Sequence, residues 1–215
     1  MIDARAAVQS DVAPRLGQAR VLPVLTVTDV EQAEATCRAL LAGGISCVEI
    51  TFRTAVAAAA IARVSGIDGL LVGAGTVISV DQAQAALVAG ARFAVAPGLS
   101  EPVVAACHEL ELPFFPGVAT ASEIDLARRL GCRVLKVFPA STVGGPTFLR
   151  ALAAVYTDVR FIPTGGVDSS TLAEYLAVPS VLACGGSWLC DPALVNERRF
   201  DEIERRARAA VEAAS

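Results

Sequence analysis

Two hydrophobic rhythms alternate along the chain. Short β-branched or apolar runs open near Val21, Ser46, Gly69, Arg92, Pro113, Arg133, Val159 and Ser180, spaced 20 to 26 residues apart. Alanine-rich stretches with helical spacing fill the intervals, so strand and helix alternate eight times. Gly43-Gly44, Gly90 and Gly131 each close a helical stretch, and Asp29, Ser79, Ser100 and Ser169 stand at N-cap positions. Ahead of the first run, residues 2–18 carry the pattern of an amphipathic opening helix. The alternation predicts a parallel sheet with helical crossovers, and eight is the number of units that closes a barrel. The expectation is an α/β chain forming a (β/α)8 TIM barrel, one domain over residues 21–215 with an extra N-terminal helix within 1–20. A doubly wound open sheet is the rival. Such sheets usually carry a glycine-rich dinucleotide turn after their first strand, and Val27-Thr28-Asp29 contains no glycine.

Composition narrows the functional classes. The 215 residues are uniform enough for one domain, and a net charge of −4 argues against a nucleic-acid surface. No apolar run reaches the roughly 18 residues a membrane helix needs, and the start MIDARAAVQSD lacks a basic-then-apolar leader. A soluble cytoplasmic protein is expected, with neither nucleic acid nor membrane as partner. The cysteines at 37, 47, 107, 132, 184 and 190 form no C-x-x-C pair, and the single histidine, His108, matches no zinc spacing beside Cys107. The expectation is buried reduced thiols, no metal and no cofactor.

A barrel places its chemistry at the C-terminal ends of its strands. Those ends carry Glu49 and Arg53, Gly75-Thr76, Pro97, Pro116-Gly117, Lys136 and Phe138, Thr164-Gly165-Gly166, and Gly185-Gly186-Ser187. Lys136 is the only lysine; the other seventeen of the 18 basic residues are arginine. A guanidinium stays protonated, whereas a desolvated lysine can release its proton and attack a carbonyl. Strand parity sets Glu49 on one face with Cys47 and Thr51, and Lys136 on one face with Val134 and Phe138. If both faces point inward, an amine and a carboxylate share one dry interior. A structural ion pair and an imine-forming lysine with its proton-shuttling acid are both open readings. The two glycine turns suit backbone N–H groups converging on a phosphate, aided by the helices that follow and by Ser187. Arg53 could grip a carboxylate or form a surface salt bridge, and Thr76 could donate a hydrogen bond. Trp188 is expected to pack beneath the last helix.

The stretches VLPVLTV, AGGISCVEITFRT, VGAGTV, FAVAPGLSEP, PFFPGVATASE, LKVFPA, FIPTGGV and CGGSWL together resemble the bacterial 2-keto-3-deoxy-6-phosphogluconate (KDPG) aldolases, class I aldolases of the Entner–Doudoroff pathway. The resemblance implies Lys136 as the Schiff-base lysine and Glu49 as the general acid/base acting through water. It implies Arg53 and Thr76 at the keto-acid carboxylate, Pro97 and Phe138 as walls of the pyruvate pocket, and Thr164 near the substrate hydroxyls. Gly165, Gly166 and Ser187 fall at the phosphate, with Gly186 in the same turn. A homotrimer is the family's usual assembly. The resemblance breaks locally at Ser141, where the family often carries an acidic residue after Lys-x-Phe-Pro-Ala. Sister enzymes cleave the galactonate epimer or 4-hydroxy-2-oxoglutarate. Rival functions are another phosphate-binding barrel enzyme, a non-catalytic sugar-phosphate sensor and a pyridoxal-phosphate barrel.

Overall fold

The computed structural model describes residues 12–214, so residues 2–11 of the expected opening helix lie outside the described residues. Its remainder forms α1 (Ala13–Ala19), with Leu16 fully buried. The order that follows is β1 (Val21–Leu25), α2 (Val30–Ala42), β2 (Cys47–Thr51), α3 (Ala57–Val64), β3 (Leu71–Gly75), α4 (Val80–Val88), β4 (Ala94–Val95) and α5 (Glu101–Glu109). The second half runs β5 (Phe114–Phe115), β6 (Gly117–Val118), α6 (Ala121–Arg129), β7 (Val134–Val137), α7 (Gly145–Val155), β8 (Arg160–Pro163), α8 (Leu172–Leu176) and β9 (Cys184–Gly186). A 3-10 turn (Trp188–Cys190), α9 (Pro192–Asn196) and α10 (Phe200–Ala214) complete it.

Every strand pair is parallel. One sheet has the order β5-β4-β3-β2-β1-β9 and a second the order β6-β7-β8. Isolated bridges Phe161–Val181 and Thr164–Gly185 link the end of the second sheet to the approach and start of β9. The strands are almost wholly buried, as crossover helices on a parallel sheet require. The fifth predicted run is two short strands, because Pro116 has no N–H to donate to a ladder. On one side of it Phe114 and Phe115 pair with Ala94 and Val95; on the other Gly117 and Val118 pair with Lys136 and Val137. The chain thus passes from one sheet to the other across a single residue. Gly117 leaves no room for a side chain there, since a Cβ would run into the carbonyl of Pro97.

The helix signals hold with two corrections. Asp29 accepts from Glu31 N and Ser79 from Gln82 N, while Ser100 holds its N-cap position without a side-chain bond. Ser169 caps nothing. Instead Asp168 accepts from the N–H groups of Ser170 and Thr171 and so builds the turn before α8. The eighth run is the second correction: after Ser180 only Val181 bridges, and the strand proper begins at Cys184. Gly90 and Gly131 end their helices with φ of 90° and 86°, a backbone that side chains other than glycine's strain to adopt. Trp188 packs against the core and gives its carbonyl to Arg206 of α10 at 2.7 Å.

All six cysteines are free and buried. Burial pushes the thiols of Cys37, Cys47, Cys107, Cys132 and Cys184 up to about 12 from an ordinary 9, and Cys190 is raised by the same cause. A folded-state value above the unfolded one gives stability that is whole below about pH 9 and lost as pH rises toward 12. Urea midpoints measured from pH 8 to 11 are therefore expected to fall steadily. Iodoacetamide at pH 8 should label none of the six thiols in the folded protein and all of them in denaturant, read by intact mass.

Candidate active site

Register brings the two candidate charges together. Glu49 lies in the middle of β2, between Val24 of β1 and Gly73 of β3. Lys136 lies in β7, between Gly117 of β6 and Ile162 of β8. The two strands belong to different sheets, and their side chains meet in the interior: Lys136 Nζ donates to Glu49 Oε1 at 3.2 Å. The lysine side chain is 6% exposed and the glutamate 1%. Glu49 Oε2 is buried with no hydrogen-bond partner, so the pair is half satisfied and retains an acceptor. Gly75 makes the space, since a Cβ there would stand 2.6 Å from Glu49 Oε1.

A wall of contacts extends from the lysine. Its Nζ lies 5.7 Å from the ring centroid of Phe138, within range of a cation–π contact. Gly165 stands over the same ring, where a Cβ would meet it at 3.3 Å. The loop after β7 is hydrogen-bonded to the turn after β8 through Ala140 N to Thr164 O at 2.8 Å and Ser141 N to Gly165 O at 3.0 Å. Thr164 is buried, and its hydroxyl occupies the place a side chain on Gly185 would need. The two glycine turns therefore touch.

The other expected residues stand at strand ends without touching the charged pair. Arg53 follows β2, exposed, and makes no ion pair among the described residues, so the salt-bridge reading finds no support there. Its loop is tied to the segment after β1 by Thr54 Oγ1 donating to Val27 O at 2.7 Å. Thr76 follows β3 with φ of 58°, an uncommon backbone for a β-branched residue. Pro97 follows β4, half-buried, and Ser187 follows β9, exposed. The N–H groups of Gly166 and Ser187 reach no acceptor among the described residues. The expectation of strong helix ends behind the turns is corrected: α8 has 5 residues and the segment after Ser187 is a 3-residue 3-10 turn. Anion affinity at these turns would rest on the N–H groups themselves. Gly75 and Gly117 were not assigned roles from the sequence, because the groups they make room for are distant along the chain.

Among the described residues no group of three His, Cys, Asp or Glu could hold a metal ion, and no helix is long and apolar enough to cross a membrane. A parallel α/β chain that encloses one amine with one carboxylate has the arrangement that a lysine-dependent aldolase needs. The sequence profile of the KDPG and KHG aldolase family matches residues 12–206, and the chain belongs to that family. A 2-dehydro-3-deoxy-phosphogluconate aldolase of Treponema pallidum is 49% identical over 189 residues, 87% of this chain and 90% of its own length. The KDPG aldolase of Legionella pneumophila, solved with pyruvate captured as a covalent carbinolamine intermediate, has a TM-score of 0.88 at 35% identity, covering 96% of this chain and 97% of its own. The corresponding aldolase of Zymomonas mobilis, solved with 3-phosphoglycerate, also has a TM-score of 0.88 at 35% identity, with 94% and 96% covered.

The enclosed pair makes a stability prediction. Lys136→Met should cost about 3 kcal/mol at pH 7, because it leaves Glu49 buried without its countercharge. Adding Glu49→Leu should recover most of that loss. Urea unfolding of the two variants checks both, and a double variant no more stable than the single one would contradict the coupling.

Proposed function

We propose that the protein is a class I aldolase that cleaves 2-keto-3-deoxy-6-phosphogluconate to pyruvate and D-glyceraldehyde 3-phosphate, a step of the Entner–Doudoroff pathway. One observation carries the reading: the chain's single lysine is enclosed with a glutamate that keeps a second, unpartnered oxygen. The carbinolamine in the Legionella relative supports an amine that bonds to pyruvate, and the 3-phosphoglycerate in the Zymomonas relative supports a place for a phosphorylated three-carbon unit.

In this mechanism Glu49 takes a proton from Lys136, and the neutral amine adds to the C2 ketone. Glu49 returns the proton to the departing hydroxyl, water leaves, and a protonated imine remains as the electron sink. Glu49, again a carboxylate, removes the C4 hydroxyl proton through a bound water. The C3–C4 bond breaks, its electrons pass into the iminium, and glyceraldehyde 3-phosphate departs from an enamine. Protonation at C3 and hydrolysis release pyruvate and restore the amine. The iminium supplies what a Lewis acid supplies elsewhere, so the route uses no metal or cofactor.

Substrate contacts follow the same reading. Arg53 and Thr76 hold the keto-acid carboxylate, Pro97 and Phe138 wall the pyruvate, Thr164 faces the hydroxyls, and Gly165, Gly166, Gly186 and Ser187 hold the phosphate. The exposed guanidinium of Arg53, the left-handed Thr76 and the unpartnered N–H groups of Gly166 and Ser187 support these roles. Holding a remote phosphate fixes the reacting carbons over the lysine, where binding energy lowers the barrier.

The same proposal takes the two sheets as arcs of one closed (β/α)8 barrel, forming one domain over 21–215 with the helix within 1–20 outside it. The fifth strand's continuity across Pro116 and the bridges from β8 toward β9 support closure. Assembly as a homotrimer is taken from the family resemblance, and a cytoplasmic setting is part of the same proposal.

Borohydride reduction with pyruvate, read by intact mass and peptide mapping, tests the reading. An adduct is expected on Lys136, and none should form in Lys136→Arg. Glu49→Gln should still form it while losing about a hundredfold or more in cleavage rate. Absence of any adduct on Lys136 in the unaltered protein would overturn the assignment. Ser187→Ala should weaken phosphorylated substrates and leave pyruvate trapping unchanged.

A further inference from the structure

Strand β1 has no place in the mechanism above, although it stands between β9, which leads into Ser187, and β2, which carries Glu49. Its pairing with β2 sets Val24 opposite Glu49 and Leu25 opposite Ile50. One rung further lie Thr26 and Thr51, and their hydroxyl oxygens meet at 2.7 Å. Neighbours on one rung of a parallel sheet share a face, and faces alternate along a strand. Val24 and Thr26 therefore share the interior face of Glu49, with Thr26 at the C-terminal end of its strand, where a barrel opens. The carboxylate reaches up to the same rung: a Cβ on Gly75, which pairs with Thr51, would stand 2.6 Å from Glu49 Oε1.

Burial decides which hydroxyl of the couple donates. Thr51 is fully buried, and Thr26 is its side chain's one hydrogen-bond partner among the described residues. If Thr51 only accepted, its own proton would be orphaned out of water, a costly arrangement. Thr51 therefore donates, Thr26 accepts, and the O–H of Thr26 stays unspent. Thr26 is half-buried, so that O–H is within reach of a ligand. The backbone beside it is held as well, since Val27 O accepts from Thr54 Oγ1 at 2.7 Å.

We infer that Thr26 is a substrate-positioning residue, whose hydroxyl donates to the C5 hydroxyl oxygen of the six-carbon substrate. This rests on the proposed function. With C4 served by Glu49 on β2 and the phosphate held at the turns that include the end of β9, the carbon between them passes over the strand between them. The C5 hydroxyl takes no part in bond cleavage. A contact to it orients C4 over the carboxylate and survives the reaction unchanged. Valine has nearly the same shape as threonine but would leave the substrate oxygen desolvated and unpaired.

Condensation of pyruvate with two aldehydes tests the assignment. D-Glyceraldehyde 3-phosphate carries the hydroxyl that becomes the one at C5, and 3-oxopropyl phosphate lacks it. Thr26→Val should cut the ratio of kcat/KM between the first aldehyde and the second about fivefold. Thr26→Ser, which keeps a hydroxyl, should hold the ratio within about twofold of the unaltered protein. A ratio unmoved by Thr26→Val, or lowered as far by Thr26→Ser, would overturn the role, because a merely structural threonine affects both aldehydes alike. Pyruvate–borohydride trapping, run beside the kinetics, separates the layers. No adduct on Lys136 in the unaltered protein removes the aldolase reading and this role with it, whereas a normal adduct with an unmoved ratio removes the role of Thr26 alone.

Discussion

Holding an ammonium and a carboxylate together out of water is the constraint that governs this molecule. Each ion loses solvation worth several kcal/mol, and mutual attraction offsets it only when the geometry is close. Here the contact spans 87 residues of sequence and joins two sheets. Its existence requires the registers of β2 and β7, the missing side chain at Gly75 and the ring of Phe138 beside the amine. Yet the pair is not completed: one carboxylate oxygen stays bare in the interior. A core selected for stability alone would have satisfied that oxygen or replaced both charges with apolar groups. Leaving it open keeps an unspent acceptor in the interior.

The glycine turns are built on different physics. Much of the arginine is spent on surface pairs such as Arg38–Glu34, Arg128–Asp158 and Arg208–Glu204. Such exposed pairs contribute little to stability. What the turns offer is the N–H groups of Gly166 and Ser187, which reach no acceptor among the described residues. Donors of this kind carry no counter-ion and discriminate by position. Close contact between the turns through Thr164 and Gly185 makes them one surface.

Much of this was legible in order along the chain. Strand starts, helix stops and the shared interior of Glu49 and Lys136 follow from periodicity two, left-handed glycines and parity, all of which are local properties. What escaped was set by partners far away. Pro116, which has no N–H to give, falls where the chain leaves its pairing with β4 and takes up its pairing with β7, and both partners are distant in sequence. Gly75 and Gly117 stand among the strand-end residues by sequence, but the reason for a glycine there shows only when Glu49 and Pro97 are seen against them. Ser169 was a reasonable cap by residue type, but Asp168, one position earlier, has the longer reach of a carboxylate and takes both N–H groups. The short segments after β8 and β9 were invisible to a rule that assigns a full helix to every crossover.

Enclosure of the only ε-amino group has a consequence for how this protein meets reactive chemistry. Every exposed basic side chain of the sequence is a guanidinium, and the one lysine is 94% hidden, given its exposure of 6%. Reducing sugars, acyl donors and other electrophiles that modify lysine surfaces elsewhere find no such target on the outside of this fold. An electrophile can reach that nitrogen only by fitting the interior that surrounds it, so shape becomes the filter that protects an intrinsically indiscriminate nucleophile.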